Sequence, residues 1–419
     1  MAAQVTQRAA GARIDSLDVL RGFAILGILV MNIQMFSMVN VAYMNPTLAG
    51  PMQGPDYWIW LVSHIAFENK FLAIFAALFG AGIVLMAERA ELAGDRAAYR
   101  HMRRMGVLAL IGGAHAYLIW HGDILLVYAV MGMIAFAFRH LPIGKLMAVA
   151  ACLYLVPLLI SIVLTIVFFN LPDAYYKLLE TQYWQPVSPT FTLVEAAYRG
   201  DWMQQMQARF HDASTFHIWL LPLKHGWHVL ALMLAGMAAY RSGLLTGAWS
   251  NRAYAWTALL GLVVGLPLVL AGVWFNQATG WEMATSLFLG AEFNHIAAPF
   301  IATAWICGMI LLLRSGWLAR VIDALRNVGR TALSCYLLTS VVCTSIFYGY
   351  GLGLFGQLGR SEQLAVVLFV WVILVGFASL WLQFFRMGPM EWLWRWGASG
   401  RRARMLRSER IPPSGAGPA

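Results

Sequence analysis

The chain has 419 residues, of which 60% are hydrophobic and only 11% charged, and its mean hydropathy is +0.67. A soluble globular domain is nearer half apolar and a quarter charged, so this composition excludes a soluble enzyme, a disordered chain and a secreted disulfide scaffold. A net charge of +10 would suggest nucleic acid in a soluble protein, but here it fits cytoplasmic loops, and we expect no nucleic-acid partner. Long, continuous apolar runs favour an all-α polytopic membrane protein over a barrel.

The apolar runs predict about ten spanning helices, since each span needs about 20 apolar residues. In chain order they are residues 17–38, 68–87, 104–121, 124–139, 146–169, 218–240, 254–275, 293–313, 331–350 and 363–385. Before the second span, residues 58–67 predict an interfacial helix. Its start, with Tyr57, Trp58 and Trp60, is typical of the lipid headgroup region.

Lysine and arginine are distributed unevenly between the two sets of connecting segments. If the N-terminus is cytoplasmic, 23 of the 29 basic residues lie inside and six lie outside. Cytoplasmic loops carry such an excess. We therefore predict that both termini are cytoplasmic and that the number of spans is even.

The same reading divides the chain into three parts. Residues 1–16 form a cytoplasmic N-terminal segment, and residues 17–398 form the transmembrane bundle. Within the bundle, the outer segment 170–217 is long enough for one or two amphipathic helices on the outer face. Residues 399–419 are rich in Arg, Gly and Pro, and we expect this cytoplasmic tail to be disordered.

The first span carries polar residues on one face. Arg21 and Asn32 are eleven positions apart, which returns to nearly the same face after a rise of about 16 Å. A cation then lies at the cytoplasmic mouth and an amide near mid-membrane, where polar groups are expensive and usually functional. Alternatively, Arg21 is a topology anchor paired with Asp18, and Asn32 binds a neighbouring helix.

The third and fourth spans contain the sharpest combination of residues. His115 lies about two turns inside its helix end, and the turn His121-Gly122-Asp123 follows. A buried neutral imidazole needs partners, and Asp123 can reach back to it. A carboxylate–imidazole pair is what a general base requires. The alternative for Asp123 is an ordinary N-cap of the next helix.

Two further histidines have a carboxylate at helical spacing. His64 and Glu68 are at i and i+4, so the carboxylate can orient the imidazole; alternatively, both face water in an interfacial patch. His295 has Glu292 at i−3 and can line the same outer cavity, although packing explains it equally well.

Metal binding is not expected. His225 and His228 are at i and i+3, a spacing that can share a metal, but no carboxylate is close to them in sequence. The four cysteines show no metal-ligand spacing and are typical of small core residues.

Arginine groups precede the third and ninth spans on the inner side. They can hold the phosphates of a cytosolic cofactor, or they can simply anchor the helix ends by the positive-inside rule. The residues are Arg100, Arg103, Arg104, Arg320, Arg326 and Arg330.

Five motifs in order along nearly the whole chain resemble a known family. They are LDVLRGFAILGILVMN, FLAIFAALFGAG, HGDILLVYAVMG, NVGRTALSCYLLTS and GPMEWLWR. The sequence resembles the YeiB-like family of bacterial inner-membrane proteins (domain of unknown function 418), and His115 and Asp123 match its pattern. The resemblance implies a multi-pass protein of the bacterial inner membrane.

This family is similar to a wider group of transmembrane acyltransferases, including the acyltransferase-3 proteins and heparan-α-glucosaminide N-acetyltransferase. In those proteins a cytosolic acyl-CoA enters between helices, and a hydroxyl or amine on the far side receives the acyl group. The similarity implies acyl-CoA as a cosubstrate and no tightly bound cofactor. It implies membrane lipids as partners and a periplasmic glycan, lipid or small metabolite as acceptor.

The similarity also suggests roles for individual residues. Acyltransferase-3 proteins place an Arg and a catalytic His eleven apart on the first helix; Arg21 matches the Arg, and Asn32 stands at the His position. The glucosaminide acetyltransferase also has Asn there and supplies its His shortly afterwards, where His64 is the nearest equivalent. Asn32 would bind the thioester or its oxyanion, and His115, oriented by Asp123, would deprotonate the acceptor. The cosubstrate phosphates would bind Arg21, Arg103, Arg104 and Arg330.

Two other classes of function remain open. A transporter or lipid-binding protein without acyl-transfer chemistry would show discontinuous helices at mid-membrane, and prolines at 157, 222, 267 and 299 are compatible with that. A structural scaffold for other envelope proteins is the third class. The residues indicate no particular oligomeric state.

Overall fold

The computed structural model describes residues 14–50, 52–184, 189–400 and 402–407. In these ranges the secondary structure is helical, apart from an isolated antiparallel bridge between Phe385 and Leu406. The predicted all-α class is confirmed.

The α-helices of the described chain are numbered here in chain order. They are α1 (Asp15–Ser37), α2 (Asn40–Met44), α3 (Gly54–Ala66), α4 (Lys70–Leu92), α5 (Ala97–Leu118), α6 (Leu125–Ala135), α7 (Ile143–Phe169), α8 (Asp173–Tyr183), α9 (Pro189–Arg199), α10 (Gln204–Ser214), α11 (Gly226–Arg241), α12 (Asn251–Ala278), α13 (Ala291–Ser315), α14 (Ala319–Arg330), α15 (Ala332–Phe347), α16 (Arg360–Phe384) and α17 (Pro389–Ser399). Two π-helical stretches, Thr215–His225 and Thr285–Gly290, lead into α11 and α13.

Each of the ten predicted spans coincides with a helix. Among the described residues, seven helical segments are long and apolar enough to cross a membrane, or eight if α14 and α15, bent by 88°, count as one broken span. The third and fourth predicted spans, α5 and α6, do not meet this criterion, since α5 begins with several arginines and α6 is short. A multi-pass membrane protein is established, while ten crossings remain a prediction.

In the described residues of segment 170–217, which was predicted to lie outside, the structure has three short helices, α8 to α10, where one or two were expected. A reciprocal cap separates the last two: the Gln204 N–H donates to Asp201 Oδ1 at 2.8 Å, and the Asp201 N–H donates to Gln204 Oε1 at 3.0 Å. Such a cap starts a new helix.

The tail from residue 399 is described only in part. Residues 402–407 run back beside the end of α16, where the Arg407 N–H donates to the Phe384 carbonyl at 3.0 Å. Residues 401 and 408–419, on which part of the prediction of disorder falls, lie outside the described residues.

Helix α1 lies at the centre and packs against α4, α14, α15 and α16. Two glycines allow α1 and α14 to cross in backbone contact. A Cβ at Gly22 would lie 1.9 Å from the Leu325 carbonyl oxygen, and one at Gly329 would lie 1.8 Å from that of Asp18. This crossing positions the start of α1 beside the start of α15, where the candidate site lies.

We expect Gly22→Ala to lower the free energy of unfolding by at least the cost of overpacking, about 1–3 kcal/mol. The added methyl would clash with backbone atoms of α14, which cannot rotate aside as a side chain can. Thermal unfolding of the purified protein measures the loss. Gly106→Ala on α5 is the matched control, since nothing lies within 4 Å of a Cβ there. We expect this control to be neutral or stabilising. Equal melting temperatures for the two variants would contradict the close crossing.

Candidate functional site

His115 and Asp123 form a buried pair across the α5–α6 turn. Nδ1 of His115 lies 2.7 Å from Asp123 Oδ1, and the two side chains are 1% and 0% exposed. The second oxygen, Oδ2, accepts from the Leu126 N–H at 2.7 Å in the first turn of α6. Both interpretations of Asp123 from the sequence are therefore compatible with the structure. One carboxylate oxygen caps the start of α6, and the other orients the His115 imidazole.

A glycine lets the two helices approach at this point. A Cβ at Gly112 would lie 2.4 Å from the Leu126 nitrogen and 2.9 Å from Asp123 Oδ2. Any side chain at position 112 would therefore displace the carboxylate from His115. The sequence analysis did not single out Gly112, since only the packing shows what it faces.

The other imidazole nitrogen, Nε2, faces the interior of the bundle, and His115 itself lines neither of the two cavities described below. The bond to Asp123 assigns the proton to Nδ1, so Nε2 carries the lone pair. Nε2 of His115 is buried and has no hydrogen-bond partner within the described ranges. A buried, oriented imidazole with an open acceptor nitrogen can take a proton from a bound hydroxyl or amine.

Asn32 lies in a small chamber of about 10 Å³, which is room for about one water molecule. The chamber is lined by Ile25, Ile28, Leu29, Asn32, Phe36, Trp120, Tyr336, Thr339 and Ser340. Phe36 and Trp120 stack at 3.9 Å and close it on one side. The ring of Tyr336 lies 5.2 Å from that of His115, so the chamber and the His115–Asp123 pair adjoin the same tyrosine.

A much larger cavity, called the basic cavity, opens on the other side of Tyr336. Its volume is about 670 Å³, and it lies between α1, α4, α5, α6, α14, α15 and α17. Its floor is apolar and aromatic and includes Phe75, Phe79, Leu108 and Tyr128. Six guanidinium groups and two carboxyl groups also line it: Arg21, Arg89, Arg100, Arg104, Arg330, Arg395, Asp18 and Glu391.

Three of the four arginines predicted to bind phosphate line the basic cavity, and Arg103 does not. Arg103 donates to the Gly397 carbonyl at 3.2 Å on the surface. The guanidinium of its neighbour Arg104 lies 4.3 Å from the Trp394 ring at the cavity wall. One residue rotates a helix by about 100°, and this rotation separates the two arginines.

Glu391 fixes α17 against the start of α15. Its carboxylate accepts from the N–H groups of Leu333 at 2.6 Å and Ser334 at 3.2 Å, and from the Ser334 hydroxyl at 2.5 Å. The helix break at Thr331 leaves these N–H groups without partners in their own helix, and Glu391 supplies one from 57 residues further along the chain. Burial raises the pKa of the Glu391 carboxyl. The sequence analysis missed Glu391, Arg89 and Arg395 as cavity residues.

The secondary candidates His64 and Glu68 are in contact with each other and, like His115 and Asp123, line neither cavity. Both belong to a separate polar cluster at the α3–α4 junction. There the fully buried Lys70 amine donates to the His64 carbonyl at 2.9 Å and to Asn294. The structure therefore separates this pair from His115.

His295 also lies apart from His115. Its ring stacks on Tyr154 at 4.2 Å and packs against His228 at 4.3 Å. Glu292 pairs instead with Lys224 at 2.7 Å. In the described part of the chain, no cluster of His, Cys, Asp and Glu has metal-binding geometry.

Sequence comparisons identify relatives of the whole bundle. The chain is 34% identical over 393 residues to "Uncharacterized protein YeiB" of Escherichia coli (strain K12), covering 91% of this chain and 94% of that protein. It is 32% identical over 407 residues to "Uncharacterized protein YxaH" of Bacillus subtilis (strain 168), with coverage of 91% and 93%. The chain belongs to the YeiB-like family.

Two weaker matches extend this picture of the YeiB-like family. An "Uncharacterized 39.9 kDa protein in amylase 3'region" of Bacillus acidopullulyticus is 26% identical over 386 residues. The family described as "Protein of unknown function (DUF418)" matches residues 239–401. That match includes Arg330, Tyr336, Glu391 and Arg395, and it begins after His115 and Asp123.

Proposed function

We propose that the chain is a membrane-embedded acyltransferase. It moves an acyl group from cytosolic acyl-CoA to a hydroxyl or amine on the periplasmic side, on a glycan, a lipid or a small metabolite. One observation carries this proposal: an arginine-lined cavity ends at a tyrosine that packs directly on an oriented, buried imidazole.

The charge of the basic cavity suits coenzyme A. Six guanidinium groups and two carboxyl groups line it, and the Arg100 guanidinium also pairs with Asp95, so the net charge is about +3. Coenzyme A has a phosphomonoester and a diphosphate, which together carry about four negative charges at neutral pH. Guanidinium groups bind phosphate oxygens through paired, charge-assisted hydrogen bonds.

The distances suit the pantetheine arm. Arg104 and His115 lie on α5 eleven residues apart, which is a rise of about 16 Å on nearly the same face. Arg21 and Asn32 repeat this spacing on α1. A cosubstrate with its phosphates at the arginines would therefore direct its thioester towards Tyr336 and the His115 side of the bundle.

The chemistry then follows from the residues. Nε2 of His115 accepts the proton of the acceptor hydroxyl or amine, and the acceptor atom attacks the thioester carbonyl carbon. The Asn32 amide stabilises the oxyanion of the tetrahedral intermediate. When the carbon–sulfur bond breaks, the CoA thiolate takes the proton from the imidazolium. Asp123 holds the imidazole in the required tautomer throughout.

The proposed orientation of the protein in the membrane is based on the distribution of its arginines. The start of α1 and the helix α17 both line the basic cavity, so both ends of the described bundle lie at the cavity mouth. The positive-inside rule places this arginine-rich end in the cytoplasm, where acyl-CoA is found.

A transporter or lipid-binding protein is the second candidate, and the broken helix favours it. Helices α14 and α15 meet at an angle of 88° beside the cavity, and discontinuous helices commonly form the binding sites of transporters. Such a protein would move or hold its ligand without covalent change.

Purified protein in lipid nanodiscs, given radiolabelled acetyl-CoA and an envelope extract, tests the proposal. We expect CoA release that is coupled to label appearing on an acceptor, and we expect free CoA to inhibit it. Gradient-driven uptake of a chemically unchanged solute into proteoliposomes, with no acyl transfer, would instead establish the transporter.

A further inference from the structure

Tyr336 on α15 separates the two cavities of the site. Its side chain is 5% exposed and lines both the basic cavity of about 670 Å³ and the chamber of about 10 Å³ that contains Asn32. A group bound in the basic cavity therefore meets this ring before it meets Asn32.

The ring is held in place by the turn that carries the His115–Asp123 pair. The Ile124 N–H donates to the Tyr336 hydroxyl at 3.1 Å, and Ile124 directly follows Asp123. The ring also packs against His115 at 5.2 Å. The barrier and the candidate base are thus fixed by the same few residues.

The chamber beyond Tyr336 has room only for a small chemical group. It has room for about one water molecule, and the Phe36–Trp120 stack closes it on another side. If the carbonyl carbon stands between Asn32 and His115, the rest of the acyl group must fit this space. Tyr336 is the side chain whose removal would join the chamber to the larger cavity.

We propose that Tyr336 determines the size of the group delivered from the basic cavity to His115 and restricts the cosubstrate to short acyl chains. This proposal rests on the acyl-transfer function for its substrate, but the barrier itself is a property of the packing. The two parts are tested separately below.

The first experiment measures the chain-length profile. With acyl-CoA donors from acetyl to octanoyl, we expect the rate of the parent to fall at least tenfold along the series. In Tyr336→Ala, the ratio of octanoyl to acetyl rates rises at least tenfold, because the chamber and the cavity merge. Leu333→Ala is the matched control, since Leu333 lines the basic cavity but not the chamber. An unchanged ratio in Tyr336→Ala, or an equal change in the control, would overturn the proposal.

The second experiment needs no activity. Ser340 lines the chamber and is 1% exposed, so Ser340→Cys places a thiol there with little change of shape. In a Cys152→Ala background, which removes the exposed native thiol, we expect slow reaction with an anionic thiosulfonate reagent. Adding Tyr336→Ala accelerates this reaction at least tenfold, and adding Leu333→Ala does not.

The outcomes separate the two proposals. If Tyr336→Ala leaves the Ser340→Cys thiol unreactive, or if that thiol reacts fast with Tyr336 intact, the barrier is refuted. If the accessibility changes as expected but no donor is turned over by any variant, the acyl-transfer function fails and the barrier stands. Tyr336→Leu keeps an apolar side chain on α15 and replaces Tyr336→Ala in both experiments if the alanine variant does not fold.

Discussion

Replacing His115 with alanine is expected to reduce acyl transfer by about 10²–10⁴-fold, the usual contribution of a positioned general base. The imidazole is oriented by Asp123 at 2.7 Å, and its other nitrogen has no partner in the described chain. The affinity for CoA should change little, because Tyr336 separates His115 from the arginines. Steady-state rates of CoA release measure the first quantity, and equilibrium binding of CoA measures the second.

His140→Ala is the matched control, since this imidazole is 63% exposed and lines neither cavity; we expect full activity. The acyl-transfer rate of Asp123→Asn should lie between the rates of the parent protein and of His115→Ala. The amide can still contact the imidazole, but it does not stabilise the imidazolium. Near-parental turnover in His115→Ala would show that the proton is taken by another group.

Removing the Arg104 guanidinium is expected to weaken CoA binding by about 10- to 100-fold, because a hydrogen bond to a charged group contributes about 1.5–3 kcal/mol. Arg104 lines the basic cavity with its guanidinium over Trp394. The rate at saturating acyl-CoA should change much less, since the arginine is remote from the thioester. Titration calorimetry at two salt concentrations measures the affinity, and its dependence on salt should decrease in the variant.

Arg103→Ala offers a close control for Arg104→Ala. The two residues are adjacent on α5, but Arg103 donates to Gly397 on the surface. We expect its affinity for CoA to stay within about twofold of the parent, as for a surface charge. Equal losses in the two variants would mean that general positive charge, and not the cavity, attracts the ligand.

The fold follows closely from local sequence information. Membrane helices need long apolar runs, and each of the ten predicted spans coincides with a helix of the described chain. Breaks within those helices were harder to predict. At the 88° bend between α14 and α15, Glu391 caps the start of α15 from another helix. No periodicity in residues 331–350 contains that information.

In the candidate site, too, local contacts were predictable from the sequence and contacts between distant helices were not. His115 and Asp123 are eight residues apart on one helical hairpin, so their contact was predictable from the turn between them. Arg395 and Tyr336 reach the cavity only because distant helices pack together. Arg103 and Arg104 look equivalent in the sequence. Which of them faces the cavity depends on the helices that pack against α5, and the sequence of α5 alone does not give that.

The most direct test of the account is a structure of the protein with bound CoA, determined in nanodiscs. The account predicts density for the phosphates among Arg21, Arg104 and Arg330 and density for the thiol end at Tyr336. A basic cavity that remains free of CoA at saturating concentration, or that contains lipid chains instead, would contradict it.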